Sequence, residues 1–328
     1  MTDTRIEPTT PHIPAMRRVG AAVNQYFALL ALALIFVVMA ILLGHKGFLM
    51  PQNLLNIVLQ TTPITIMAIG AVFVLSTAEI DLSIGAVVAL SALVGATYIG
   101  RYGLVVGVFA GLATGAAAGL INGLLITKLR LPSFLVTLGM MGLITGLSQW
   151  YTNLEAVPVL NRTFNGIFGS GSVFGVSSLI IWTGVAILVA HYVYRHTRTG
   201  AHVLAAGDNT RAARVSGIKV DRIRIGVMVL SGVLAALAGL LYTGRLHGAS
   251  YTLGSTDQLT VIAAAVIGGT RLFGGKGSVV GAFIGSLIFG MLNNGLILAG
   301  FTNAQQQIAQ GIIIVIAIAL TLREARSS

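Results

Sequence analysis

Ten apolar segments, most of them about 20 residues long, constrain this chain of 328 residues more than any other feature. A helix of that length crosses the roughly 30 Å of hydrocarbon in a bilayer, where every backbone N–H and C=O must pair within the protein. Hydrophobic residues make up 55% of the sequence and charged residues 9%. The sequence therefore predicts an all-α, polytopic membrane helix bundle with about ten transmembrane helices. The predicted spans are residues 26–43, 54–75, 82–100, 104–127, 133–151, 178–194, 225–244, 257–269, 278–299 and 306–322.

Basic residues are distributed unevenly between the two ends of these spans. The chain carries 20 Lys and Arg against 9 Asp and Glu, for a net charge of +11. With a cytoplasmic N-terminus, 16 of the 20 fall in inside segments, and only Lys46, Arg101, Arg162 and Arg245 fall outside. Cytoplasmic loops of membrane proteins carry such an excess. The bias predicts a multi-pass protein of the bacterial inner membrane with both termini cytoplasmic, and it explains the basic composition without a nucleic acid partner.

Domain organisation follows from the spacing of the spans. No stretch between them exceeds about 30 residues, whereas a soluble domain needs roughly 50 to 200. We predict a single transmembrane domain at 26–322, cytoplasmic tails at 1–25 and 323–328, and a long cytoplasmic loop at 195–224. The chain has no cysteine, and its six histidines show no metal-ligand or catalytic spacing with an acid. The sequence thus predicts no metal site and no catalytic residues.

Glycine recurs at about every fourth residue along two of the spans. The stripes are Gly107, Gly111, Gly115 and Gly119 in one span, and Gly277, Gly281, Gly285 and Gly290 in another. Small residues let membrane helices approach closely and associate by van der Waals contact. The stripes therefore favour tight helix packing, with a glycine-lined path for a solute as the alternative.

A weak internal repeat relates the two halves of the chain. With an offset of 172 positions, Leu120, Asn122, Gly123, Leu124 and Gly139 align with Leu292, Asn294, Gly295, Leu296 and Gly311. In the charge-based topology the two copies cross the membrane in opposite directions. Opposite direction is what an inverted-topology transporter repeat requires, so we expect an inverted repeat.

Residues 198–224 form the only long hydrophilic stretch inside the apolar part of the chain. We predict a short helix at 211–216, with Gly217 in the left-handed conformation after its end. The residues that can cap its N-terminus are Asp208, Asn209 and Thr210. This stretch is the place where a soluble partner could bind, and a solvated loop is the alternative.

The predicted loop helix offers two kinds of side chain. Arg211 and Arg214, three residues apart, share one face. Ala212 and Ala213 leave another side small enough for a partner to dock closely. We therefore expect a docking helix with basic residues on one side and alanines on the other.

A glycine-rich segment follows the short span at 257–269. It contains Gly268, Gly269, Thr270, Gly274, Gly275, Lys276 and Gly277. A phosphate-binding loop would need Gly where Thr270 stands and Ser or Thr where Gly277 stands, so the segment is not a nucleotide site. Irregular backbone at membrane depth must be buried in protein or line a cavity. We predict a reentrant turn near the cytoplasmic face.

Several polar residues fall within or beside the spans, where unpaired polar groups are costly. Glu79 and Asp81 are acids flanked by apolar spans on both sides. Asp81 is either the N-cap of a helix that begins at Leu82 or part of a gate or sugar-binding site. The candidates for the translocation path or gate are Gln60, Thr61, Glu79, Asp81, Asn293 and Asn294. For the amide side chains, hydrogen bonding between helices is the alternative.

Four motifs in one order carry a family resemblance. They are Ile80-Asp81-Leu82-Ser83-Ile84-Gly85, the loop from Gly200 to Gly217, the run from Gly268 to Gly277, and Leu292-Asn293-Asn294-Gly295-Leu296. Over residues 47–322 the chain resembles the permease subunits of bacterial ribose-type monosaccharide ABC importers, in the branched-chain amino acid/ribose permease superfamily. One departure is Ala78-Glu79, where relatives often carry glycine or another small residue.

The resemblance implies three protein partners for a chain that itself holds no cofactor. These are a second permease copy, a periplasmic sugar-binding protein, and a cytoplasmic ATPase that uses ATP and Mg and grips the loop. The loop residues implied in coupling are Gly200, Gly207, Asn209, Arg211, Ala212, Ala213, Arg214 and Gly217. The cargo would be a monosaccharide of the ribose, fructose, xylose, galactose or inositol class. The subunit itself would be surrounded by membrane lipid and would not be an enzyme.

The sequence fits two other function classes less well. An ion-coupled secondary sugar transporter commonly needs ionisable residues near the middle of the membrane, and only Glu79 and Asp81 are available. A membrane-embedded enzyme would need clustered nucleophiles, acids or metal ligands, which the sequence lacks.

Overall fold

The computed structural model describes the backbone of residues 15–327 and the side chains of residues 28–316. Within that part, thirteen α-helices form nearly all of the regular structure. The helices are α1 (Ala15–Leu43), α2 (Pro51–Ser76), α3 (Ile84–Tyr102), α4 (Leu104–Lys128), α5 (Ser133–Thr152), α6 (Arg162–Asn165), α7 (Ser178–His196), α8 (Arg198–Asp208), α9 (Thr210–Val215), α10 (Val220–Leu246), α11 (Asp257–Ile267), α12 (Val279–Ala299) and α13 (Asn303–Ser327). The all-α prediction is confirmed.

Eight helices in the described part are long and apolar enough to cross a membrane. They correspond to eight of the ten predicted spans. The other two predicted spans, 257–269 and 306–322, overlap α11 and α13. At 11 residues, α11 is about 16 Å long and reaches only part of the way through a bilayer. The side chains of α13 beyond residue 316 lie outside the described residues, as does most of the predicted N-terminal tail at 1–25.

Local sequence signals set several helix ends. Pro51 opens α2, at a position where its missing N–H costs nothing. The Ser278 hydroxyl caps α12 by accepting a hydrogen bond from the Gly281 N–H at 2.9 Å. Gly300, with φ of +91°, ends the same helix in the left-handed conformation. These caps fix where the backbone leaves each helix.

Helix α10 lies at the centre of the bundle and packs against α2, α3 and α4. The glycine stripe of α4 forms much of this contact. A Cβ atom at Gly115 would clash with the carbonyl of Gly232, and one at Gly119 would clash with the carbonyl of Met228. Tight helix packing is therefore confirmed for the α4 stripe, as the small-residue rule predicts.

The α12 stripe packs in the same way at its first half. A Cβ atom at Gly281 would clash with the carbonyl of Gly268, and one at Gly285 with the carbonyl of Ala264. Both contacts press α12 against α11. Over these lengths both stripes bury their glycines between helices, which leaves no space for a solute there. The inverted repeat itself stays a prediction.

Short strands close one end of the bundle. Strand β1 (Val157–Pro158) pairs antiparallel with β4 (Gly248–Ala249), and β2 (Ser172–Val173) pairs antiparallel with β3 (Val176–Ser177). The first pair ties the connection after α5 to the end of α10. It lies at the opposite end of α10 from α8 and α9. We call the end that carries α8 and α9 the basic end.

Candidate functional site

A polar cavity of about 280 Å³ opens near the end of α10, among α2, α11, α12 and α13. We call it the outer cavity, after the side on which the distribution of basic residues predicts it to lie. Its lining consists of Gln60, Thr61, Ile64, Tyr242, Arg245, Leu246, Thr256, Asp257, Thr260, Phe289, Gly290, Asn293 and Gln310. Hydroxyl, amide, carboxylate and guanidinium groups all reach the cavity, so it can both donate and accept hydrogen bonds.

Two hydrogen bonds organise the outer cavity. The Tyr242 hydroxyl donates to Asp257 Oδ2 at 2.7 Å, which joins α10 to the first residue of α11. The Gln310 amide donates to Asn293 Oδ1 at 3.2 Å, which joins α13 to α12. Within the described part of the chain, the other oxygen of Asp257 accepts no hydrogen bond. Such an oxygen, next to amides and hydroxyls, suits a neutral solute that carries several hydroxyl groups.

The structure brings together only some of the residues predicted for the translocation path or gate. Gln60, Thr61 and Asn293 line the outer cavity. Asn294 does not, because its amide exchanges two hydrogen bonds with Asn53, at 2.8 and 3.0 Å. The side-chain pairing that the sequence left as the alternative therefore holds for Asn294, and the role of the other three in translocation stays a prediction.

The sequence reasoning missed both charged residues of the outer cavity and several of its polar ones. Tyr242, Arg245, Asp257, Thr260 and Gln310 were not singled out. A tyrosine and an arginine near the end of a span look like ordinary interface residues. The available signal was Asp257, an acid at the first position of an unusually short apolar helix.

Asp81 lies far from the outer cavity, in the buried connection between α2 and α3. Its Oδ1 accepts hydrogen bonds from the Ser83 N–H at 3.0 Å and the Ser83 hydroxyl at 2.7 Å. Its Oδ2 accepts one from the Ser231 hydroxyl of α10 at 2.8 Å. The prediction of an N-cap for a helix starting at Leu82 is wrong, since α3 begins at Ile84. Asp81 instead ties the connection to α10.

Glu79 lies in the same connection but faces the basic end. Its carboxylate pairs with the Arg224 guanidinium at 2.8 Å, and the side chains are 9% and 23% exposed. Two side-chain hydroxyls of α5 hold the backbone around it. The Ile80 N–H donates to Ser133 Oγ and the Leu82 N–H donates to Thr137 Oγ1, both at 3.0 Å. The two predicted acids therefore occupy different surroundings.

At the basic end, α8 and α9 form the helical loop that the sequence predicted. Asn209 caps α9, with its Oδ1 accepting a hydrogen bond from the Ala212 N–H at 3.0 Å. After the last turn, Gly217 has a φ of +82°. The Ile218 N–H then reaches back to the Ala213 carbonyl at 3.0 Å, which completes a Schellman motif. The capped helix is confirmed to within one residue at each end.

The faces of α9 differ from the prediction. Ala213 is only 4% exposed and packs against Ala206 and Val220. It therefore stabilises the chain's own packing, and the expectation that it lies on a docking surface is wrong. The side of α9 open to a partner carries Arg211, Ala212 and Val215, and Val215 is 86% exposed.

Arg214 follows Arg211 by three residues on α9, but its guanidinium is engaged within the chain. It contacts Asp221 at 2.9 Å. Both side chains of this pair are more than half exposed, at 57% and 55%. Among the described side chains, Arg211 has no carboxylate within 4.0 Å, so it lies beside the apolar residues of α9 without an ion-pair partner there.

The glycine-rich turn meets α8 at the basic end. The Gly275 N–H donates to the Ser76 carbonyl at 3.2 Å, and a Cβ atom at Gly207 would clash with that same carbonyl. A Cβ at Gly274 would lie 2.7 Å from the Gly207 carbonyl. We call this contact of Ser76, Gly207, Gly274 and Gly275 the glycine junction.

The remaining predicted turn residues shape the same region. Gly268 ends α11 and Gly269 follows with a φ of +92°. The Thr270 hydroxyl accepts a hydrogen bond from the Ser278 N–H at 3.3 Å, and the Lys276 carbonyl accepts one from the Arg271 N–H at 2.9 Å.

Two more of the predicted glycines pack against α7. Gly277 lies against the Tyr194 hydroxyl, which hydrogen-bonds to Ser76 Oγ at 2.6 Å. Gly200 lies against the Tyr194 carbonyl. The turn therefore connects α11, whose first residue lines the outer cavity, to the loop that carries α9.

Comparison with known proteins gives consistent matches. Residues 53–318 match the family described as branched-chain amino acid transport system / permease component. The chain is 41% identical over 295 residues to the ribose import permease protein RbsC of Escherichia coli (strain K12), covering 89% of this chain and 91% of that protein. It is 39% identical over 296 residues to RbsC of Bacillus subtilis (strain 168), covering 90% and 92%. It is 34% identical over 304 residues to the fructose import permease protein FrcC of Rhizobium meliloti, covering 89% and 83%.

Proposed function

The chain belongs to the branched-chain amino acid transport system permease family, and on that basis we propose that it is the transmembrane permease subunit of an ATP-binding cassette importer for a monosaccharide. The observation that carries the proposal is its similarity, over about nine tenths of the chain, to permeases that import ribose or fructose. The eight apolar spans support a multi-pass location in the bacterial inner membrane.

The outer cavity supports a hydroxylated, uncharged cargo. Its volume of about 280 Å³ and its mixture of donors and acceptors suit a sugar of the ribose, fructose, xylose, galactose or inositol class. Asp257 would accept from a sugar hydroxyl through its second oxygen, while Gln60 and Asn293 would donate or accept as needed. Translocation would then begin where α11 starts.

The basic end supports a soluble ATPase partner. The free side of α9 offers an exposed valine with an arginine beside it, a combination that protein interfaces use as an apolar anchor with a charged rim. ATP and Mg would be used by that partner, and the permease would not be an enzyme. A periplasmic sugar-binding protein would deliver cargo at the opposite end, and a second copy of the chain would complete the permease.

Orientation in the membrane follows from charge. With 16 of the 20 basic residues on the side of α8 and α9, that side faces the cytoplasm together with both termini. Because the chain has no cysteine, single cysteines can report the topology. An impermeant thiol reagent added outside intact cells should label a cysteine at Asn161 and leave Ser216→Cys, at the exposed end of α9, unlabelled, and the reverse pattern would invert the orientation.

Reconstitution tests the energy source. Proteoliposomes with this chain, its ATPase and its binding protein should take up sugar only with ATP on the α9 side, and uptake should persist when the proton gradient is collapsed. A panel of labelled pentoses, hexoses and inositols would identify the cargo. Accumulation by the purified chain alone, driven by an imposed pH or sodium gradient, would contradict the proposal in favour of an ion-coupled carrier.

A further inference from the structure

A second polar cavity, of about 510 Å³, lies at the basic end between the α4–α5 connection, α9 and the start of α10. We call it the arginine cavity. Its charged lining consists of Glu79, Arg130, Arg214, Asp221 and Arg224. It is separate from the outer cavity and takes no part in the sugar path described above.

The charges in the arginine cavity do not balance. Arg224 is held by Glu79 in the partly buried pair at 2.8 Å. Arg214 pairs with Asp221 only at the surface, where such a contact is weak and easily exchanged. Among the described side chains, no carboxylate lies within 4.0 Å of Arg130. Three arginines therefore face two carboxylates, which leaves one positive charge in excess.

The connection that carries Arg130 has apolar neighbours on both sides. Arg130 has a φ of +55°, an uncommon backbone conformation for a residue other than glycine. Leu129 is 61% exposed and Leu131 is 45% exposed. A positively charged cavity thus opens beside exposed leucines at a membrane surface, an arrangement that suits a ligand with an anionic head and an acyl chain.

We propose that the arginine cavity binds a phosphate monoanion, supplied by the headgroup of an anionic phospholipid. A phosphodiester carries one negative charge, which matches the excess in the cavity. Guanidinium groups bind phosphate oxygens through paired hydrogen bonds, and basic pockets between transmembrane helices on the cytoplasmic side bind anionic headgroups. By contacting Arg130 and Arg214 together, the lipid would hold α9 against the α4–α5 connection.

Native mass spectrometry of the full chain, reconstituted with equal amounts of phosphatidylglycerol and phosphatidylcholine, tests the proposal. The ratio of retained phosphatidylglycerol to phosphatidylcholine should fall about fivefold in Arg130→Gln and about fivefold in Arg214→Gln. Arg222→Gln is the matched control, because Arg222 is an exposed arginine of α10 outside the cavity. Arg214→Gln also decides the test if Arg130→Gln fails to fold, since Arg214 makes only an exposed contact.

Three results would overturn the proposal. The first is an unchanged ratio in the Arg130→Gln, Arg214→Gln double variant. The second is retention of labelled inorganic phosphate with equal retention of both lipids, which would make the ligand a free anion. The third is complete loss of phosphatidylglycerol when the ATPase partner is added, which would assign the cavity to an acidic segment of that protein.

Discussion

The outer cavity and the glycine junction lie at opposite ends of α11 and are built from opposite kinds of residue. The cavity is made of polar side chains that surround open space, such as Tyr242 and Asp257 at 2.7 Å. The junction has almost no side chains, and its backbones touch directly at Gly207 and Gly274. Changes at the junction should therefore act through packing and coupling, whereas changes in the cavity should act through the cargo.

Gly207→Val should have the largest effect on stability. A Cβ atom at this position clashes with the Ser76 carbonyl, and a backbone atom cannot move aside as a flexible side chain would. Overpacking of this kind costs about 3 kcal/mol, which thermal unfolding of the purified chain would measure. The control is Gly226→Val, because a Cβ there meets no atom within 4 Å. Equal stability of the two variants would show that the junction is not tightly packed.

Asp81→Ala should come next, at about 2 kcal/mol, because it leaves three donors from Ser83 and Ser231 without their acceptor. Asp81→Asn should stay close to the wild type, since its amide oxygen still accepts from Ser83 and its NH₂ group can donate to the Ser231 hydroxyl. Thermal unfolding of both variants checks this. If Asn were as damaging as Ala, the negative charge itself would be required.

Local signals in the sequence were enough to predict eight spans and the basic-end helix. Asn209 and Gly217 act through their own backbone neighbours, so the start and end of α9 followed from residue type and spacing. The start of α3 was placed two residues too early, because Asp81 uses one oxygen to hold Ser83 before the helix and the other to bond Ser231, 150 positions away. No local pattern indicates such a partner.

Neighbouring residues show why the candidate site was only partly predictable. Asn293 and Asn294 are adjacent on α12, yet successive residues of a helix point about 100° apart. One therefore lines the outer cavity and the other pairs with Asn53. Likewise Ala212 is exposed while Ala213 is buried against Ala206. Which face is turned inward depends on tertiary packing that the sequence pattern does not specify.

At the basic end, Val215→Ser separates the binding of the ATPase from the packing of the chain itself. Val215 is 86% exposed, so its loss should leave the stability of the chain unchanged. Removing an apolar anchor worth about 1.5 kcal/mol should weaken binding of the ATPase roughly tenfold, measured by titration of the detergent-solubilised permease. Val173→Ser, in the exposed hairpin at the other end, is the matched control. Unchanged affinity would place the ATPase on another surface.

Asp257→Asn should give the smallest effect and the most specific one, confined to the outer cavity. The amide oxygen can still accept from Tyr242, so the fold and ATPase binding should be preserved. The NH₂ group would then stand where the second carboxylate oxygen accepted from the sugar, so the sugar hydroxyl would exchange a charge-assisted hydrogen bond for one that it accepts from an amide. This difference of about 1 kcal/mol is roughly fivefold in the kcat/KM of uptake. Glu155→Gln is the control, because it removes an exposed acid outside the cavity. If both variants transported sugar at the wild-type rate, the cargo would pass elsewhere. If both slowed equally, the effect would come from the surface charge around the entrance and not from a hydrogen bond inside it.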